Sequence, residues 1–203
     1  IFPWREDRAT KYQQIVSEIL LQRTKAETVA KYYDTFFSKF PDWNALANAS
    51  LEELEEIMKP LGLYRHRARR LYKLGEDIRR RGGKIPGNEN ELRDSGFIGL
   101  YVTNAFELFI LRNRKPLLDV NMSRLLKRYF KPGDFIDVRH DKEIQELAND
   151  IIEVRRCKEL NWAILDYAAL VCKTRNPLCG ECVLNKHCKY YELSQGDVTE
   201  EPE

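Results

Sequence analysis

The sequence lacks the long apolar runs of a membrane protein. None of its hydrophobic stretches approaches the roughly 20 residues that cross a bilayer, and no signal peptide is visible. These absences predict a protein without a membrane partner.

Strand signals are also missing. The chain has no Asn-Gly turns between alternating apolar segments and no internal repeats. Apolar residues instead recur at helical spacing in about ten segments. These are residues 10–23, 26–40, 43–47, 51–58, 64–81, 89–93, 100–111, 121–130, 142–154 and 158–171. We therefore predict an all-α fold of short helices.

The chain has little net charge, because 34 basic and 32 acidic side chains leave only +2. Bulk charge therefore does not indicate a polyanionic partner. The distribution is uneven, since the segment from 65 to 81 is strongly basic and has only two acids, Glu76 and Asp77. This run is either a solvated helix face or a phosphate-binding surface. Its basic residues are Arg65, Arg67, Arg69, Arg70, Lys73, Arg79, Arg80 and Arg81.

Cysteine is scarce, with five in the chain, but four of them lie within 17 residues near the C-terminus. Without a targeting signal, this favours a metal site in a reducing compartment over a disulfide framework. The spacing is Cys172-x6-Cys179-x2-Cys182-x5-Cys188. It contains one close pair only, which suits a bulky [4Fe–4S] cluster better than a tetrahedral zinc. Zinc and four free thiols are the alternatives, and Cys157 is interpreted as an ordinary buried thiol.

A second candidate site runs from Gly96 to Asp119. Gly96-x-x-Gly99 is typical of a turn that opens a helix, where unpartnered amides suit an anion such as a phosphate. Tyr101 falls on the first turn of that helix, and Asp119 follows 18 residues later at a predicted helix start. A phosphate cradle with a tyrosine and a carboxylate predicts chemistry on a nucleotide. The alternative is a plain turn followed by a helix cap.

Gly-x-x-Gly-x-Tyr, Asp119 and the cysteine loop follow one another in a particular order and spacing. In these features the chain resembles the helix-hairpin-helix DNA glycosylases with an iron–sulfur loop, the superfamily of endonuclease III and the adenine glycosylases. The resemblance covers residues 3–191. It implies a two-lobed helix-hairpin-helix glycosylase fold in which a C-terminal loop holds a [4Fe–4S] cluster. Its four cysteines, Cys172, Cys179, Cys182 and Cys188, would be the ligands.

The resemblance also implies how the chain is divided. A six-helix domain with the helix-hairpin-helix would span residues 10–114, and residues 1–9 and 115–193 would form the iron–sulfur cluster domain. Residues 194–203 are acidic and poor in apolar side chains, which predicts a disordered tail. The implied protein is an intracellular monomer of the cytoplasm or nucleoid. Its partner would be double-stranded DNA with a mismatched or damaged base.

Further motifs resemble the thymine–guanine mismatch glycosylases. Residues 3–5 and 17–24 are similar to those of the adenine glycosylase branch as well, whereas residues 23–24, 32–37, 128–130 and 166–169 favour the mismatch enzymes. We expect no further domain after the cysteine loop, where adenine glycosylases usually carry one. We therefore expect a base-excision repair glycosylase that removes thymine or uracil mispaired with guanine. Excision of adenine opposite 8-oxoguanine or guanine is the alternative, and a non-catalytic iron–sulfur DNA-binding protein is a third reading.

The resemblance assigns catalytic roles to three residues. Asp119 would stabilise positive charge on the sugar and orient a water molecule. Tyr101 stands where the lyase branch has a lysine, and a tyrosine cannot form a Schiff base, so little or no lyase activity is expected. Glu18 matches the carboxylate that protonates adenine in the adenine enzymes, and in a thymine or uracil enzyme it would contact the base edge or position water. A surface salt bridge is the alternative for Glu18.

Three further residues are implied to act on the duplex. Gln22 and Arg23 would fill the gap left by the flipped base and contact the widowed guanine. Leu63 would enter as an apolar wedge from the opposite side, unless it packs on the core as a loop leucine.

The hairpin residues Gly96, Ile98 and Gly99 would bind a DNA phosphate by the same resemblance. The sequence departs from the family at this hairpin, because Phe97 occupies the place of its first glycine. Phenylalanine does not readily adopt φ > 0. We therefore expect a reshaped hairpin or one weakened phosphate contact.

Overall fold

The computed structural model describes residues 2–88, 90–91, 99–131, 137 and 140–196 of the chain. All regular secondary structure in these ranges is helical, which confirms the predicted all-α class. No helix in these ranges is long and apolar enough to cross a bilayer. The chain divides into two compact units, residues 1–113 and 114–203.

Six α-helices form the described part of the first unit. A π-helical segment, Glu107–Leu111, continues the last of them, and 3-10 turns occupy Pro3–Arg5 and Lys59–Leu61. The predicted helix at residues 89–93 lies largely outside the described residues. The helices are α1 (Lys11–Leu21), α2 (Ala26–Lys39), α3 (Trp43–Asn48), α4 (Leu51–Met58), α5 (Tyr64–Arg80) and α6 (Leu100–Phe106).

Helix α5 packs against α3 and α4. Its apolar stripe recurs at helical spacing, so that Leu71, Leu74 and Ile78 all lie on the buried face. A Cβ on Gly75 would lie 2.7 Å from the carbonyl oxygen of Leu46. The close approach of α5 to α3 therefore requires glycine at this position.

Residues 2–9 lie in the first compact unit, whereas the resemblance placed residues 1–9 with the iron–sulfur cluster domain. The reason is the side chain of Trp4, which is buried and stacks on Phe2 with 4.8 Å between ring centroids. Trp4 also lies 6.2 Å from the ring of Tyr33 on α2. Burial of this large aromatic ring fixes the N-terminal segment to α1 and α2.

The second unit contains four α-helices within its described ranges. They are α7 (Val120–Phe130), α8 (Lys142–Ile151), α9 (Cys157–Leu170) and α10 (Lys189–Gly196), with 3-10 turns at Cys179–Glu181 and Asn185–His187. Apolar side chains of α7, α8 and α9 form one core. The last helix includes residues 194–196, which the sequence predicted to begin a disordered tail. Residues 197–203 lie outside the described part.

A buried asparagine fixes the segment that leads into α7. Asn161 is completely buried on α9, and its side-chain oxygen accepts a 2.6 Å hydrogen bond from the Leu117 amide. Its side-chain nitrogen donates to the carbonyl oxygens of Lys115, at 3.2 Å, and Cys157, at 2.9 Å. These bonds satisfy otherwise buried backbone groups and set where the chain enters α7 at Asp119.

Candidate active site

Two of the predicted catalytic residues meet within the first unit. The Tyr101 hydroxyl, on the first turn of α6, donates a 2.6 Å hydrogen bond to Oε2 of Glu18 on α1. Glu18 is only 3% exposed, which excludes the alternative of a surface salt bridge. A carboxylate held this deep needs hydrogen-bond partners, and the phenol supplies one with a fixed direction.

The predicted DNA-contacting residues occupy two neighbouring turns of the same unit. Gln22 and Arg23 follow α1, and Leu63 precedes α5. Arg23 and Leu63 both have positive φ, 58° and 45°, and Leu63 is 52% exposed. A left-handed conformation costs a non-glycine residue roughly 1–3 kcal/mol and is found most often at functional sites. The exposure of Leu63 excludes the alternative of a leucine packed on the core.

One guanidinium joins these two turns. Arg67 on α5 donates to the carbonyl oxygens of Leu61, at 2.9 Å, and Gly62 in the turn before the helix. It also donates to the carbonyl oxygen of Gln22 and the hydroxyl of Thr24 in the turn after α1. Arg67 is 3% exposed, so it lies in the interior and does not belong to a phosphate-binding surface. The prediction for the basic run is wrong at this position.

Arg70 donates to the side-chain oxygen of Gln22, and the remaining basic side chains of the 65–81 run separate into two groups. Arg79, Arg80 and Arg81 at its C-terminal end pair with the acids Glu76, Asp77 and Glu91. Arg65, Arg69 and Lys73 are exposed, recur every fourth residue along one face, and have no acidic partner among the described residues. The candidate phosphate-binding surface therefore reduces to this second group.

The predicted hairpin falls mostly outside the described residues, including Gly96, Phe97 and Ile98. Gly99 is described and is the N-cap of α6, with φ −74° and ψ 165°. This extended conformation is open to any residue, and a Cβ there would meet nothing within 4 Å. Glycine at 99 is therefore not required by the local turn.

In the second unit, Asp119 is the N-cap of α7. Its Oδ1 accepts from the amides of Asn121 and Met122, each at 2.8 Å, and its Oδ2 accepts from the Asn121 side chain at 2.7 Å. Burial raises the pKa of Asp119, and these hydrogen bonds together with the charge of Arg124 offset part of the rise. The carboxylate is thus both a helix cap and a half-buried group whose pKa is raised, a combination typical of catalytic positions.

A chain of hydrogen bonds connects this carboxylate to the cysteine loop. The Asn121 side-chain oxygen accepts a 3.0 Å bond from Arg124, so the amide that contacts Asp119 is itself oriented. Arg124 also donates to the carbonyl oxygens of Cys172 and Ala168, both at 2.8 Å. A guanidinium with five donors in a fixed plane suits this linking position.

The four cysteines of the loop lie near one another and form no disulfide. Arg128 donates to Sγ of Cys172 at 3.5 Å, and the Tyr167 hydroxyl donates to Sγ of Cys182 at 3.2 Å. Burial raises the pKa of the Cys179 thiol, and the charges of the three other cysteines raise it further. Within the described ranges, no three His, Cys, Asp or Glu side chains are arranged to hold one metal ion.

Comparison with known proteins gives the site its context. Residues 16–158 match the HhH-GPD superfamily of base excision DNA repair proteins. The chain belongs to this superfamily. The match contains Glu18, Arg67, Tyr101 and Asp119, together with the helices that position them.

Individual relatives of this superfamily cover nearly the whole chain. A thymine/uracil-DNA glycosylase of Methanothermobacter thermautotrophicus is 32% identical over 193 residues, which cover 94% of this chain and 86% of that protein. A thymine-DNA glycosylase of Aeropyrum pernix is 35% identical, with 93% and 86% covered. The solved structure of a thermostable thymine-DNA glycosylase superposes with a TM-score of 0.84 and 32% identity, covering 95% of this chain and 89% of that one.

The cysteine loop fits the iron–sulfur cluster that the resemblance to iron–sulfur glycosylases implies. A single zinc needs four ligands drawn to about 2.3 Å from one ion, whereas a cubane spreads four thiolates around a larger core. Two of the sulfurs receive hydrogen bonds, from Arg128 and Tyr167, and such donors stabilise metal-bound thiolates. The donor set of four thiols with two donors directed at them therefore fits a thiolate-ligated cluster.

The basic face of α5 gives a first prediction for a DNA-binding member of this superfamily. Replacing both Arg69 and Lys73 with Met is expected to reduce the slope of log K against log[salt] by about 2, since each phosphate contact contributes roughly 0.9. Fluorescence anisotropy of a labelled duplex over a salt series measures it. The matched control replaces Arg79 and Arg80, whose charges are already paired with Glu76 and Asp77. A slope unchanged in the test variant, or reduced equally in the control, would contradict this placement of the phosphates.

The sequence reasoning missed two positioning arginines, Arg67 and Arg124. The sequence contained a signal for Arg67, because this residue lies at helical spacing from Leu71, Leu74 and Ile78. The apolar stripe therefore begins with an arginine at a core position. Arg124 lies three residues after Asn121 and thus on the same helical face. The sequence did not indicate which groups accept the hydrogen bonds of the two arginines, because these acceptors lie in segments that are distant along the chain.

Proposed function

We propose that the protein is a monofunctional DNA glycosylase that acts as a monomer on duplex DNA and removes thymine or uracil paired with guanine. The observation that carries this proposal is the 2.6 Å hydrogen bond between Tyr101 and the buried Glu18. It puts a phenol, which cannot form a Schiff base, beside a carboxylate suited to the edge of a base. The thymine and thymine/uracil enzymes among the relatives support the same substrate class.

The proposed reaction is hydrolysis of the bond between C1′ of the sugar and N1 of the pyrimidine. The base leaves with the electron pair of this bond, water adds its oxygen to C1′, and one proton of the water passes to the base. The target nucleotide must first leave the helical stack, because its reacting atoms are inaccessible inside a duplex.

Asp119 is proposed to stabilise the positive charge that develops at C1′. Its Oδ1 is occupied by two backbone amides, while Oδ2 has the Asn121 side chain as its one partner among the described residues. Oδ2 is therefore the oxygen proposed to stabilise the sugar and to orient the water. A preoriented carboxylate of this kind acts without reorganising during the reaction.

Glu18 and Tyr101 are proposed to act on the departing base. A pyrimidine presents carbonyl oxygens and an N–H group on its edge, and the pair offers one acceptor and one hydroxyl to match them. Because the phenol is already directed by Glu18, its proton has a fixed position. Neither group can trap the sugar as an imine, so the product is an abasic site in an unbroken strand.

The four cysteines of the loop are proposed to hold a [4Fe–4S] cluster. When bound, the cluster supplies metal–thiolate bonds that order a segment rich in exposed residues, including Val183, which is 81% exposed. The protein's own contribution is the hydrogen bonding from Arg128 and Tyr167, which fixes two of the sulfurs.

Adenine excision is the second candidate, and one observation favours it. Glu18 is buried, as expected of a carboxylic acid that protonates a leaving purine. Glu18 would then be the acid and Tyr101 its orienting partner.

The deciding experiment is a single-turnover assay on duplexes containing G·T, G·U or 8-oxoguanine·A. Each reaction is divided into samples with and without hot alkali, and a third sample is treated with borohydride to trap any imine. We expect strand breaks only after alkali, on G·T and G·U, with no trapped adduct. Dominant cleavage of 8-oxoguanine·A would assign adenine excision instead, and a strong adduct would contradict the monofunctional mechanism.

A further inference from the structure

We propose that Arg67 is a positioning residue for base extrusion, which holds the turn of Gln22 and Arg23 and the turn of Leu63 as one rigid unit. This inference rests on the proposed function, because it concerns how that enzyme opens a duplex. It adds a residue that touches neither the sugar nor the base.

The geometry of the contacts carries the proposal. The two terminal nitrogens of Arg67 are divided between the turns: one bonds the carbonyl oxygens of Leu61 and Gly62, and the other bonds the Gln22 carbonyl and the Thr24 hydroxyl. A hydrogen bond from the Thr24 hydroxyl to the Leu61 carbonyl oxygen also joins the two turns directly, although these two residues are 37 positions apart in the sequence. The planar guanidinium, together with this direct bond, thus sets the distance between the turns, as its rigid fork allows.

The backbone next to these acceptors has the unusual conformation. Arg23 follows the bonded Gln22, and Leu63 follows the bonded Gly62, and both have positive φ. Such residues keep this conformation only where their surroundings enforce it. Arg67 supplies that enforcement at both turns, and in both the side chain at positive φ is exposed.

Stability of the fold is a poor reason for an arginine here. Among the described residues Arg67 has no carboxylate partner, and its buried Nε has no hydrogen-bond partner. Burial and the neighbouring Arg70 lower its pKa, which reflects the cost of keeping the charge in the interior. Fixing a particular arrangement is the best-attested use of such a buried charged group.

The test compares two substrates that differ only in the need for extrusion. Single-turnover rates are measured for uracil opposite guanine in a duplex and for uracil in the single strand of the same sequence. Arg67→Met is expected to lower the duplex-to-single-strand rate ratio about 10- to 100-fold, the range that follows from misplacing groups by about 1 Å. Thr24→Val removes one acceptor of Arg67, together with the direct bond from Thr24 to Leu61, with little change of shape, and a smaller fall of about threefold is expected.

The duplex-to-single-strand rate ratio distinguishes a loss of positioning from a loss of stability. Loss of folded enzyme lowers both rates equally, so Leu74→Ala, which opens a cavity in the core face of the same helix, is expected to lower the melting temperature and leave the ratio unchanged. Arg67→Lys should restore part of the ratio, because an ammonium keeps the charge but cannot span both turns.

The outcomes are distinct. A ratio that is unchanged in the Arg67→Met and Thr24→Val variants overturns the inference, and if Arg67→Met does not fold, Thr24→Val and Arg67→Lys decide it. If the unaltered protein removes uracil from neither substrate, the proposed function fails, independently of Arg67.

Discussion

Asp119→Asn is expected to lower the single-turnover glycosylase rate by about 10³-fold or more on every substrate, while duplex affinity stays within a few-fold. The amide keeps the acceptor that caps α7, since Asn and Asp are equally good N-caps, but it has no charge to stabilise the sugar cation. Binding is measured by anisotropy and chemistry by quenched-flow or manual sampling. Substantial residual activity would mean that Asp119 serves only as a helix cap.

The pH dependence provides an independent check on the same carboxylate. Burial raises its pKa above the ordinary value, so the ionised form that the proposal requires is lost at a higher pH than for an exposed aspartate. The rate should therefore fall on the acid side at a pH above the usual range of an aspartate. Removing the positive charge of Arg124, which lowers this pKa, should move the acid limb to still higher pH.

The same shift has a consequence for stability. A carboxyl group whose pKa is raised in the folded state favours folding below its ordinary pKa, and this contribution is lost as the pH rises through the raised value. At neutral pH the ionised Asp119 therefore carries a cost of burial that Asp119→Asn removes. The variant also loses the acceptor for the Asn121 side chain, which opposes this gain, so we expect it to melt at about the same temperature as the unaltered protein.

Periodicity in the sequence predicted the helices well, because their stability comes from apolar stripes such as Leu71, Leu74 and Ile78 that recur in the chain itself. The pairing of Tyr101 with Glu18 was not predictable from spacing, since 83 residues separate them and their hydrogen bond depends on how α1 meets α6. The resemblance predicted a separate role for each residue. The hydrogen bond between them is seen only in the folded structure.

Two differences between expectation and structure have a common physical origin. The resemblance places residues 1–9 with the second domain, whereas burial of Trp4 fixes residues 2–9 to the first unit. Arg67 was counted with a basic surface, although its helical position puts it among buried side chains. In both cases the identity of a residue was given more weight than the side of the element on which it lies.

The proposed cluster predicts the second large effect. Cys182→Ser is expected to abolish the broad absorption at about 400 nm that a [4Fe–4S] centre with four thiolates gives. It is also expected to lower the melting temperature of the second unit, so that the primary loss is of folding and any loss of glycosylase activity is secondary. The physical reason is that the loop contributes few buried apolar side chains, so metal–thiolate bonds must supply the order that packing does not. Absorption, iron content and thermal melting by circular dichroism measure the change.

Cys157 offers the matched control, because it is a half-buried cysteine of the same unit outside the spaced set of four. Cys157→Ser should keep the iron content, the colour and the activity. In Cys182→Ser the hydroxyl of Tyr167 also loses its sulfur acceptor, so Tyr167→Phe is needed to separate that bond from the cluster. We expect Tyr167→Phe to retain four irons per chain, as a [4Fe–4S] cluster requires, because the sulfur ligand itself is intact. A colourless protein that binds one zinc per chain would overturn the cluster and assign the four cysteines to a zinc site.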